Sequence, residues 1–228
     1  MMLGTGRGVG TMCAMATAQT ELDGADIELD DEPTLKDRYV LFTEMLVFAI
    51  ISLIASVVLS YDAIVLAANP DAQLNCSINA VLDCATVGKS WQASVFGFPN
   101  AFLGMISEPV VMTIAVASLC KVKFPRWFML TANGVYFLGL VFAYWLLYQS
   151  TFVIGALCPW CLTVTISTTF VFYSMTQWNI LEGRLFPTGK WHRRALGWVR
   201  GGWFTIALIA WLALVLAVEV VHWLPRYL

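Results

Sequence analysis

Five long apolar runs separated by short polar loops divide this chain. They cover about Val40 to Ala68, Ala101 to Leu119, Trp127 to Gln149, Leu157 to Trp178 and Trp203 to Trp223. A helix needs roughly 18 or more such residues to cross the hydrocarbon core of a bilayer, and soluble domains rarely carry even one such run. Composition agrees. Of the 228 residues, 59% are hydrophobic and 12% are charged, whereas a soluble domain is nearer half apolar and a quarter charged. The expected fold class is an all-α integral membrane protein. The first four runs, joined by short loops, should form a four-helix transmembrane bundle, with the fifth transmembrane helix beside it. A net charge of -2 points away from nucleic acid; the lipid bilayer is the first partner implied.

The segments follow from the runs. Residues 1–36 read as a disordered acidic tail on the cytoplasmic side, because Glu21 to Asp37 collects most of the acidic residues and offers little apolar surface to bury. Residues 37–180 form the four-helix domain, 181–202 a basic cytoplasmic loop, and 203–228 the fifth helix with a short outer tail. Lys and Arg concentrate in two loops, Lys121, Lys123 and Arg126 in one, Arg184, Lys190, Arg193, Arg194 and Arg200 in the other. Positive loops stay in the cytoplasm. The loop from Asn69 to Asn100 carries Lys89 alone and falls outside. The expectation is a multi-pass protein of the plasma or inner membrane, N-terminus cytoplasmic. Tyr61, Trp91, Tyr148, Trp160, Trp178, Trp203, Trp223 and Tyr227 sit near run ends and read as an interfacial belt.

Four of six cysteines fall as two pairs on the outer side. Cys158-Pro-Trp-Cys161 opens the fourth run. The spacing places both sulfurs on one side of a first helical turn. Pro159 suits the first helical position, where no backbone N–H is needed. The helix N-terminus favours a thiolate, the nucleophile of disulfide exchange. A half zinc site would need two more ligands, and the two histidines, His192 and His222, are poorly placed, so no metal is expected. A purely structural disulfide is the other alternative. Cys76 and Cys84 lie in Asn75-Cys-Ser-Ile-Asn-Ala-Val-Leu-Asp-Cys84. Taken alone this pair is more often a staple than a catalyst; its position near the C-x-x-C argues for a relay. Cys13 and Cys120 read as incidental.

These motifs resemble the vitamin K epoxide reductase family in its bacterial, DsbB-like form. The resemblance covers about Leu41 to Met175. It rests on the loop cysteines, on Gly97-Phe-Pro-Asn-Ala-Phe-Leu-Gly104 entering the second run, and on Cys158-Pro-Trp-Cys161. It implies a bundle enclosing a quinone, menaquinone or ubiquinone, as electron acceptor, and a soluble extracytoplasmic DsbA- or thioredoxin-like protein as electron donor. It implies that Cys76 exchanges with that partner, that Cys84 passes electrons to Cys158, and that Cys161 faces the quinone. Asn100 matches an asparagine that hydrogen-bonds a quinone carbonyl, and Ser90 a serine near the relay. Asn100 reads equally as the N-cap of the second helix. Animal members carry a tyrosine four residues after the second C-x-x-C cysteine; Thr165 stands there, which weakens an inference of epoxide reduction.

Competing readings are a quinone or quinone-epoxide reductase using small thiols, and a transporter or scaffold with structural disulfides. The acid Glu108, beside Pro109, is a functional-site signal inside a membrane run; a hydrogen-bonded carboxyl at a proline kink is the preferred reading. Glu219 and His222 read as interfacial.

Overall fold

The computed structural model describes residues 33–77, 81–186 and 189–227. The expected tail therefore lies almost wholly outside the described residues, as does Cys13. Its last two residues, Leu35 and Lys36, already belong to the first helix. In chain order the helices are α1 (Leu35–Ala68), the short α2 (Cys84–Gly88), a 3-10 turn (Trp91–Ser94), α3 (Ala101–Leu119), α4 (Arg126–Tyr148) running on into a π-helical turn (Gln149–Ile154), α5 (Pro159–Leu181), α6 (Lys190–Arg200) and α7 (Trp203–Tyr227).

Every backbone polar group inside lipid must be satisfied within its own segment, which is why these runs form helices. Four elements are long and apolar enough to cross a bilayer: α1, α3, α4 with its continuation to Ile154, and α7. The fourth expected span, α5, is not among them. Its interior carries Thr163, Thr165, Ser167, Thr168 and Thr169. Four of those hydroxyls bond back to the carbonyl one turn earlier, Thr168 to Val164 O at 2.7 Å and Thr169 to Thr165 O at 2.7 Å among them. Such back-bonding lets a hydroxylated helix sit in an apolar setting. Helix α5 packs against both α1 and α4, so its neighbours are protein and it need not be lipid-soluble all round.

The packing order is α3, α1, α5, α4. Helix α1 is central. With 34 residues it is about 51 Å long at 1.5 Å per residue, well beyond the ~30 Å hydrocarbon core. Its buried positions Phe42, Met45, Ala49, Ser52, Ser56 and Ser60 recur every three or four residues and form one seam. Small residues on that seam allow α3 to come close. A Cβ added to Gly104 of α3 would stand 2.1 Å from Ser56 Oγ and 2.9 Å from Ser56 Cβ. Gly104→Ala should therefore cost about 1–3 kcal/mol through a forced separation of α1 and α3. Thermal unfolding in detergent checks this: a midpoint equal to wild type would disprove the close crossing, and Ser56→Gly should partly restore it.

Helices α3 and α4 are consecutive in sequence yet pack on α1 and α5 respectively rather than along each other. A gap is left between them on one side of the bundle. At the end of the bundle away from the cysteines, Phe42 meets Trp178 edge-on at 5.0 Å, and Arg38 lies 5.2 Å over the same ring. Trp178 is thus a core residue, 3% exposed, and Trp223 is likewise buried; both depart from the expected belt because position near a run end does not tell lipid from protein. Tyr61, Trp91, Tyr148 and Trp203 are exposed as a belt requires.

The fifth helix lies beside the bundle as expected. Helix α7 touches it through Tyr173 OH and Thr205 Oγ1 at 2.6 Å, Trp211 Nε1 donating to Tyr144 OH at 2.8 Å, and Thr151 Oγ1 donating to Glu219 Oε1 at 2.9 Å. Glu219 is therefore buried against the π-helical turn. The basic segment 181–202 is more than a loop. Within it α6 buries Leu196 and Val199 and exposes Trp191 and Trp198; the density of basic residues hid that apolar spacing.

Candidate active site

Two chain segments meet at one end of the bundle. The first is the loop after α1. The second is the turn between α4 and α5. There the π-helical turn ends at Gly155, whose φ of 73° is the left-handed conformation that glycine adopts freely. Ser150 Oγ donates to Ala156 O at 2.5 Å and holds the reversal. The chain then runs extended through Leu157 to Cys158, the N-cap of α5, with Pro159 in the first turn. Leu157 N donates to Val81 O at 2.7 Å, and Asp83 N to Leu157 O at 3.2 Å. These bonds form a parallel bridge between Leu82 and Leu157, two residues before Cys84 and one before Cys158.

Asp83 caps α2. Its carboxylate accepts from Ser77 Oγ at 2.5 Å and Ala85 N at 3.0 Å, and also from Thr86 Oγ1. Partial burial pushes this carboxyl up, but the hydrogen bonds outweigh it and hold Asp83 below the usual carboxylate range. Its contribution to the loop is present at neutral pH and fades as pH falls through that lowered value.

Cys76 and Cys84 are joined by a disulfide, with Cα atoms 5.7 Å apart. Cys158 and Cys161 are free thiols. Cys158 Sγ lies 3.4 Å from Cys84 Sγ. Leu66 and Leu74 pack with Cys76, Cys84 and Cys158 in one buried cluster, so the excess length of α1 serves to carry this cap. Cys84 and Cys158 are 3% and 1% exposed, and Cys76 is 8% exposed. Asp62, near the end of α1, faces Cys76, with Oδ2 3.6 Å from Sγ.

Beneath the cap a cavity of about 520 Å³ fills the gap between α3 and α4. Cys84, Cys158 and Cys161 line it, as do Ser90 and Asn100. Cys76 does not; it stands behind Cys84. Asn100 begins α3 but does not cap it with its side chain. Instead Nδ2 donates to Gln92 O at 2.6 Å and Oδ1 accepts from Val95 N at 3.2 Å. The N-cap expectation is thus corrected: the amide pins the 3-10 turn across the cavity mouth, because residues 92–95 offer it backbone partners. Ser90 Oγ donates to Val87 O at 2.6 Å. Thr165 also lines the cavity, with its hydroxyl bonded to Cys161 O at 3.0 Å.

The model of the vitamin K epoxide reductase family matches residues 43–176. The chain belongs to the vitamin K epoxide reductase family. The match takes in α1 through most of α5 and leaves α6 and α7 outside it. No curated protein matches the chain. Membership makes this a membrane oxidoreductase from a family whose members use quinones.

The residues present fit a quinone. The volume is that of a small-molecule site. Phe96, Leu103, Ile106, Leu138 and Phe142 give apolar walls, and a few polar groups interrupt them. One Asn100 amide hydrogen remains beyond its bond to Gln92, since an amide nitrogen carries two. Cys161 opens onto the same space.

Sequence reasoning left out Asp62, Ser56 and Tyr136, all of which line the cavity. A carboxylate or phenol within an apolar run was the available signal. Glu108 was weighed, and it too lines the cavity.

Proposed function

We propose that this protein oxidises a soluble extracytoplasmic dithiol protein of the DsbA or thioredoxin type and passes the electrons through two cysteine pairs to a membrane quinone. The observation that carries the reading is the 3.4 Å separation of Cys158 Sγ and Cys84 Sγ at the mouth of the cavity that Cys161 also lines. The cysteine end then faces outward, and the basic loops face the cytoplasm.

Each step is a thiol–disulfide exchange. A partner thiolate attacks Cys76, forming a mixed disulfide and releasing Cys84 as thiolate. The partner's second thiol breaks the mixed disulfide, leaving the loop pair reduced and the partner oxidised. Cys84 then attacks Cys158 of an inner disulfide and releases Cys161. Cys76 attacks Cys84, closing the loop disulfide and freeing Cys158. The loop pair is now closed and the inner pair open, the arrangement in the structure. A bound quinone supplies the terminal acceptor for the two electrons and two protons of Cys158 and Cys161. Asn100, with its second amide hydrogen, would hold one quinone carbonyl. Leu103, Phe142 and the 3-10 turn line the cavity beside the dithiol. With Cys76 only 8% exposed, the loop must shift for a folded partner to reach its sulfur.

Purified protein, a reduced partner protein, and menaquinone or ubiquinone test the reading. Partner oxidation should depend on one of the quinones, and none with either would overturn it. Cys76→Ser should slow oxidation of the protein partner at least about a hundredfold, because the accessible exchange sulfur is lost, while a small thiol that reaches the inner pair keeps its rate within a few-fold. An unchanged rate with the protein partner would refute the order of the relay.

A further inference from the structure

The cavity floor, remote from the cysteines, is polar. Glu108 lines it and is 3% exposed. Its Oε1 accepts from Ser52 Oγ at 2.8 Å and from Tyr136 OH at 3.0 Å; Oε2 lies 3.3 Å from the same phenol. The three groups come from α1, α3 and α4. Glu108 is thus a hydrogen-bonded carboxyl beside Pro109, and its partners are side chains of two other helices rather than backbone groups released by the proline. Tyr136 also lines the cavity, and the Glu108–Tyr136 bond bridges the gap between α3 and α4 at its base.

A buried acid inside a membrane bundle is expensive to keep. Walls meant only for an isoprenoid tail would not retain one. The placement matches a different ligand feature. Cys161 and Thr168 both line the cavity and are seven residues apart on α5, about 10 Å along the axis. Asn100 and Glu108 are eight residues apart on α3, about 12 Å. Polar groups thus stand at the two ends of a mostly apolar slot, as the two oxygens stand at opposite edges of a quinone ring.

We propose that Glu108, held by Ser52 and Tyr136, hydrogen-bonds the quinone oxygen remote from Cys161 and delivers its proton there. The inference rests on the quinone reading above. The balance is as follows. The Cys158 and Cys161 S–H bonds break, their S–S bond forms, and two electrons pass to the quinone. One thiol proton goes to the near oxygen. The Glu108 Oε2–H bond breaks as the remote O–H bond forms, and the carboxylate left behind is held by the Ser52 and Tyr136 hydroxyls. The second thiol proton, released at the mouth, restores Glu108 when the quinol leaves.

Glu108→Gln keeps the shape and the acceptor oxygen but not the acidic proton, and Glu108→Asp keeps the acid. The wild type and both variants are compared in quinone-dependent thiol oxidation, in quinone affinity of the oxidised protein by tryptophan quenching, and in quinone-minus-quinol infrared difference spectra. The glutamine variant should turn over about a hundredfold more slowly, the loss expected of a general acid. Its affinity should change less than tenfold, and it should lack a carboxylic-acid C=O band that wild type displays. The aspartate variant should recover at least tenfold over glutamine. If wild type shows no quinone dependence, the proposed function and this inference both fail. If wild type turns over and glutamine matches it within threefold, or the infrared band persists in glutamine, or aspartate recovers nothing, this inference alone fails.

Discussion

Cys161→Ser should abolish quinone-dependent thiol oxidation, lowering the rate by about a thousandfold or more, as removal of one member of a catalytic unit does. Serine is nearly the size of cysteine, so the cavity wall and the first turn of α5 should survive. What is lost is the sulfur that must bond to Cys158 when two electrons leave together. Cys158 lies at the mouth against Cys84 and cannot alone release an electron pair into the cavity. Quinone reduction followed optically with a small dithiol as donor bypasses the partner and isolates this step. Activity within tenfold of wild type would remove Cys161 from the path. Cys158→Ser should behave the same way in this assay.

Cys161→Ala should accumulate a species with a Cys84–Cys158 disulfide that wild type does not hold. Without Cys161, the Cys158 thiolate has one disulfide within reach. Its sulfur starts 3.4 Å from Cys84 Sγ and must close to about 2.05 Å in the product. Attack there breaks Cys76–Cys84, forms Cys84–Cys158 and leaves Cys76 as a free thiol, with no external oxidant consumed. Cys161, which would resolve this bond by attacking Cys158, is absent, so return of Cys76 onto Cys84 is the remaining way to open it. Alkylation followed by non-reducing peptide mapping should find Cys76 labelled and residues 84 and 158 linked. Recovery of Cys76–Cys84 alone, with Cys158 fully alkylated, would make the loop pair a staple.

The membrane helices were legible because lipid imposes a length and polarity that little else in a sequence imitates. That rule stops at the helix lipid does not touch: α5 is hydroxyl-rich, and what makes it a bundle helix is its enclosure by α1 and α4. The same limit explains Trp178 and Trp223, whose apolar surroundings are protein. Helix α6 was obscured because four of its residues are Lys or Arg. At the site, sequence spacing placed the C-x-x-C at a helix start, and the structure brings Cys84, Cys158, Cys161, Ser90 and Asn100 to one cavity. What Asn100 bonds could not be foreseen, since that depends on a tight turn folding back five to eight residues. The Glu108–Tyr136 contact joins residues 28 positions apart on helices of different register, and no local pattern encodes it.

The bridge between Leu82 and Leu157 has a mechanical consequence. Extended chains advance about 3.3 Å per residue. A slip of one residue in that short ladder would carry Cys84 past Cys158 by nearly the whole distance that now separates their sulfurs. These two backbone hydrogen bonds hold the chain ahead of Cys84 in register with the chain ahead of Cys158, so in the proposed relay they would act as a clutch between the loop disulfide and the inner dithiol. On that proposal, registration of the backbone would govern transfer between the two pairs, and a substitution at neither cysteine would be enough to weaken it.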